Sequence, residues 1–96
     1  MIIKKHARQG KLVLAICDSD ILGKSFSEGD AVLDLKSEFY KGEKMPEENI
    51  LKLVRVCYMI NAIGKKSTGF LIEKEIISKE DIKEIGGVPY TLVLFG

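Results

Sequence analysis

The chain has 96 residues, 46% of them apolar and 30% charged, with a formal net charge of +1. That length suits one domain whose core needs no metal or disulfide support, and so small a net charge selects no partner. Two cysteines with no thiol or imidazole at ligand spacing argue against a disulfide scaffold and a structural zinc site, and no apolar run is long enough to span a membrane. With no secretory leader in view, the expectation is an intracellular, cytoplasmic protein with Cys17 and Cys57 as buried thiols.

Charge is distributed in blocks. Residues 1–27 carry +3, 28–50 carry −4, 51–72 carry +4 and 73–96 carry −2. Such blocks fold either into opposed basic and acidic sides or into a mixed surface.

In chain order, residues 1–6 and the wholly apolar 12–17 read as a β-hairpin, with Gly10 free to take positive φ in the turn. Residues 31–35 make a short third strand. Residues 37–43 form a loop holding Phe39 and Tyr40. Residues 46–63 read as one long helix. Pro46 suits its first turn, Glu47 and Glu48 complement its dipole, and Gly64 supplies a left-handed stop. Glu48, Lys52, Arg55, Met59 and Ala62 share one narrow stripe, so this helix is expected to be buried on most sides. Met59 in that stripe and Asn61 on the apolar face break the pattern.

A shorter helix capped by Ser67 or Thr68 runs to about Glu75. Residues 82–85 make a short strand, 86–89 a turn, and 90–95 a nearly all-apolar final strand. The order predicts one α+β domain over residues 1–96. Its mainly antiparallel sheet would comprise the N-terminal hairpin, the third strand and the C-terminal strand, packed against one long and one shorter helix.

Gly23-Lys24-Ser25 matches the last three positions of a phosphate-binding P-loop. The first glycine of that pattern falls on Asp18, whose carboxylate lies where phosphate charge would have to sit. Residues 26–30 are turn-like where a helix is required. The segment is therefore not a nucleotide P-loop. It reads as a turn capped by Asp18 or Ser19 and closed by Gly23, with Leu22 and Phe26 plugging the core and Lys24 and Glu28 solvated. The competing reading is a surface loop in which Lys24 meets phosphate and Phe26 stacks on a base.

His6 is the single imidazole, at the end of a basic strand. No Ser-His-Asp or Cys-His arrangement can be assembled with specificity, and the carboxylate pairs Asp18/Asp20 and Glu80/Asp81 resemble caps and turn residues. The sequence thus nominates no catalytic residue, metal ligand or cofactor. Lys52, Arg55, Lys65 and Lys66 lie in a segment without acids. Either Lys65 and Lys66 complement a helix C-terminus, or with Lys4, Lys5, Arg8 and Lys11 they form a phosphate-binding face.

GKSFSEG (23–29), FYKGE (39–43), NAIG (61–64) and IGGVPYT (85–91), in this order and spacing, resemble the archaeal domain-of-unknown-function 424 family over nearly the whole chain. The resemblance implies an archaeal, cytoplasmic, single-domain protein and transfers no activity. Family members often carry His-Ala after the shared proline, where this chain has Tyr90-Thr91, so imidazole chemistry at that turn is not expected. An association of such proteins with translation tilts the expectation towards RNA.

The resulting expectation is a non-enzymatic binding module for RNA or the ribosome, with Lys4, Lys5, Lys24, Phe26, Arg55, Lys65 and Lys66 as nucleic-acid contacts. A protein adaptor or homodimer is the alternative, motivated by Met59 and the Phe39-Tyr40 loop. A small-ligand protein or enzyme would use Asn61, Glu28, His6 and Lys24.

Overall fold

The computed structural model describes residues 1–95. In chain order these form β1 (Ile2–Arg8), β2 (Lys11–Cys17), β3 (Ser25–Glu28), β4 (Ala31–Asp34), a 3-10 turn (Glu38–Tyr40), β5 (Glu43–Lys44), α1 (Glu47–Val56), β6 (Met59–Ile63), α2 (Lys65–Glu73), a second 3-10 turn (Lys79–Asp81), β7 (Lys83–Ile85) and β8 (Val88–Leu94). Six strands make one sheet in the order β5-β1-β2-β6-β8-β7, and β3 and β4 form a separate hairpin. Every pairing is antiparallel except β2 with β6, which is parallel. The fold is α+β with a mainly antiparallel sheet. No helix among the described residues is long and apolar enough to cross a membrane.

The first hairpin forms as the sequence predicts. Gln9 and Gly10 both take positive φ, 50° and 76°, as the tight turn between right-twisted strands requires. Alternation then sorts side chains to two faces. Leu14 and Ile16 of β2 and Ile60 and Ala62 of β6 join Ile50 and Val54 of α1 and Phe70 and Leu71 of α2 in the larger core. Cys17 and Ile63 point the other way, into a smaller core with Leu35, against which Leu22, Phe26, Leu33, Tyr40 and Tyr90 pack. Both helices therefore cover one face, while β3, β4 and the first 3-10 turn cover part of the other.

Residues 46–63 are not one helix. α1 stops at Val56, and residues 59–63 form β6 in the middle of the sheet. A central strand is apolar on both faces, and such a run mimics a buried helix. Met59 and Asn61, the two misfits of the helical pattern, share one face of β6, opposite Ile60 and Ala62. Nor is α1 buried on most sides: Ile50 and Val54 are its only buried residues, and Val56 is 71% exposed. The strand beside the opening hairpin's second strand is β6, whereas residues 31–34 pair only with β3 and lie outside the main sheet. α2 starts at Lys65 rather than after Ser67 or Thr68, so Gly64 opens a helix instead of closing one.

Candidate functional site

The carboxyl ends of the parallel neighbours β2 and β6 open side by side, a position where α/β sheets commonly hold ligands. β2 leads into Asp18 and β6 into Gly64. The two loops are tied together: the Asp18 N–H donates to the Ile63 carbonyl (3.1 Å) and the Gly64 N–H to the Pro89 carbonyl (2.8 Å). Gly64 takes φ 113°, a conformation that favours glycine, and a Cβ there would run into the Asp18 carboxylate.

Gly64 has no side chain to cap α2, and Asp18 supplies one from a distant part of the sequence. Its Oδ2 accepts the Lys66 N–H (2.9 Å), and its Oδ1 accepts the Ser67 N–H (2.8 Å) and the Ser67 hydroxyl (2.7 Å). The helix dipole favours a negative charge at this end. Asp18 is buried with all these bonds made, so the anion-binding end of α2 is filled by the protein's own carboxylate. Asp18 also does not cap the turn that follows it.

Around this cap lies a cleft of about 370 Å³ bordered by Asp18, Asp20, Ile21, Gly64, Lys65, Lys66 and Gly87-Val88-Pro89. A second cleft, of about 460 Å³, adjoins it along Met1, Glu47, Lys65, Lys66 and Glu73. Lys65 also borders a third, with Lys79 and Glu84. Among the described residues the ion pairs are Lys41–Glu38 and Lys74–Glu73. Lys65 and Lys66 are exposed and unpaired.

The remaining expected contacts fall elsewhere. Lys4 and Lys5 share a cleft with Lys41, Gly42 and Glu43 along the β1–β5 edge. Arg55 is exposed on α1 and borders none of the clefts described. Lys24 keeps its side chain exposed while its N–H donates to the Ile21 carbonyl (3.1 Å). Phe26 packs into the smaller core with Leu22. The Glu28 Oε1 accepts the Gly86 N–H (3.2 Å), tying the β3–β4 hairpin to the β7–β8 turn.

Asn61 sits in the sheet between Ala15 and Leu92. His6 occupies the same face as Asn61. Its Nε2 bonds the Phe39 carbonyl (2.9 Å), and its ring stacks on Phe39 at 4.2 Å. That stack fixes the FYKGE loop over β1, where a Cβ on Gly42 would meet the Ile3 carbonyl.

Both thiols are buried. Burial, then the Asp18 and Asp20 charges, push the Cys17 thiol up to about 11. Burial also raises Cys57. Among the described residues no three His, Cys, Asp or Glu side chains are grouped to hold a metal.

Three segments of the resemblance thus meet at one end of the sheet: NAIG enters α2, IGGVPYT lines the cleft and GKSFSEG is bonded to it through Glu28. The family model described as "Protein of unknown function (DUF424)" matches residues 6–94. The chain belongs to the DUF424 family. It also resembles an uncharacterized conserved protein from Methanopyrus kandleri, seen in a crystal structure, at 26% identity and a TM-score of 0.80, over 96% of this chain and 88% of that one. No curated protein matches the chain. The sequence marks Asp18 as a cap for the turn that follows it, whereas its carboxylate caps α2 instead. An aspartate directly after an all-apolar strand marks a candidate cap, but nothing in the sequence names the helix it caps.

Proposed function

We propose that this DUF424 protein is a non-enzymatic binding module that engages RNA or a ribonucleoprotein through the cleft end of its sheet. The observation that carries this is the unpaired Lys65 and Lys66 at the meeting point of the clefts, where the nearest buried acid, Asp18, is already consumed by α2. Lysines free of partners are available to phosphates. The Lys4–Lys5–Lys41 cleft lies on β1, which follows directly on Met1 beside Lys65 and Lys66, and would extend the contact along the backbone of a strand.

The absence of catalysis in this proposal rests on what the reactive groups already do. The ring of His6 is held by Phe39, Asp18 accepts three hydrogen bonds, Glu28 tethers a hairpin, and both thiols are buried and disfavoured as thiolates. None is free to move a proton at the cleft. Phe26 lies in the core and is not assigned a stacking role.

The test is a mobility shift with bulk archaeal RNA across a salt series. Lys65→Ala with Lys66→Ala is expected to weaken binding and reduce the magnitude of the salt slope by about 1.4, the value for two phosphate contacts on a single strand. Wild-type protein that fails to bind at low salt, or a double variant that binds unchanged, would refute the proposal.

A further inference from the structure

The two edges of the main sheet differ. Beyond β5, the free edge of β1 carries Lys4, Lys5 and Arg8, charges that discourage strand pairing. Beyond β7, the free edge of β8 carries Leu92, Val93 and Leu94, and residues 88–95 hold no charge at all. Leu92 is 60% and Leu94 62% exposed.

The ladder settles which backbone groups this edge presents. Gly86 and Gly87, at φ 58° and 80°, make a two-residue turn, so Ile85 and Val88 exchange both hydrogen bonds. Val88 and Tyr90 therefore face β7. Pro89 and Phe95 face the other way, since the Pro89 carbonyl accepts from Gly64 and the Phe95 N–H donates to Tyr58. By the same alternation Leu92 and Leu94 direct their N–H and C=O groups outward, past Lys83 where β7 begins.

We propose that this edge pairs with the same edge of a second copy, antiparallel, about a two-fold axis at Val93. In that register Leu92 faces Leu94 of the other copy and Leu94 faces its Leu92, each pair exchanging two backbone hydrogen bonds. The Val93 residues meet as the close, non-bonded pair. The outward groups fall on the positions that must exchange bonds, so the strip is complementary to itself, as an isologous interface requires. Directly opposed residues share a face, so the four leucines form one apolar cluster beside Met59, which is opposite Leu94. An uncharged strip suits an identical strip, because no charge lacks a partner. The paired segment is short and falls below the roughly 800 Å² per partner of a standard stable interface, so the expected dimer is a reversible one with a micromolar dissociation constant.

Sedimentation velocity of the full chain from micromolar to millimolar concentration tests this. The wild type is expected to shift from monomer to dimer. Leu92→Lys with Leu94→Lys, both at exposed positions, is expected to remain monomeric throughout, with an unchanged circular dichroism spectrum showing that it folds. Val93→Cys is expected to form a disulfide-linked dimer on oxidation, since the native thiols are buried, and Leu92→Cys is not. A wild type that stays monomeric, a dimer that survives both lysines, or cross-linking through Leu92→Cys but not Val93→Cys would overturn the proposal.

Discussion

Asp18 holds the start of α2 through three hydrogen bonds made across the fold. Removing it leaves two backbone N–H groups and a buried hydroxyl without an acceptor, and each buried orphan costs about 1–3 kcal/mol. Asp18→Ala is expected to destabilise the protein by about 3–4 kcal/mol in urea denaturation. Asp18→Asn, which keeps one acceptor oxygen but turns a donor towards one of the N–H groups, should cost about 1–2 kcal/mol. Gly64→Ala is expected to match the alanine variant, because its Cβ displaces the same carboxylate and its φ is strained for any other residue. If Asp18→Ala proves neutral, the cap carries no stability. At this scale the sequence was partly legible. The glycines at turns and the core role of Leu22 and Phe26 follow from local chemistry, whereas the partner of Asp18 lies 48 and 49 residues away and no local rule selects it.

Among the elements, the β3–β4 hairpin stands apart from the main sheet. It is anchored by Phe26 and Leu33 in the smaller core and by the Glu28–Gly86 bond, while Val32 is 62% exposed. Few buried contacts mean easy local opening. Hydrogen exchange is expected to find the β3 and β4 amides protected at least ~2 kcal/mol less than those of β2 and β6, which should exchange only on global unfolding. Equal protection would show that the hairpin opens only with the whole fold. The elements also show where periodicity fails. The helical pattern of α1 carries on into β6 because a strand flanked by β2 and β8 must be apolar on both faces. The interruption by Met59 and Asn61 was the readable sign of a period of two. Two residues are too few to show it without the neighbouring strands.

For the molecule as a whole, the neutral Cys17 thiol links stability to alkaline pH. Its folded value is raised from 9.0 to about 11. Its stabilising contribution is therefore complete below pH 9, where both states hold the proton. It is lost as pH rises towards 11, because only the unfolded thiol ionises in that window. The loss amounts to about 2–3 kcal/mol. Between pH 8 and pH 11, urea denaturation should show a drop larger by that amount in the wild type than in Cys17→Ala, which keeps the share of the buried Cys57 thiol; equal drops in both proteins would place the cause elsewhere.

The sequence by itself determined the α+β class, the opening hairpin, the absence of a P-loop and the family, because these rest on short-range patterning and on motifs held in order. Only the tertiary structure decided that β6 is central, that β2 and β6 run parallel, that Asp18 caps α2, and that Lys65 and Lys66 border clefts that Lys24 and Arg55 do not. Each of these is a pairing between residues far apart in the chain. Periodicity reports which side of an element is buried, and it is silent on what buries it.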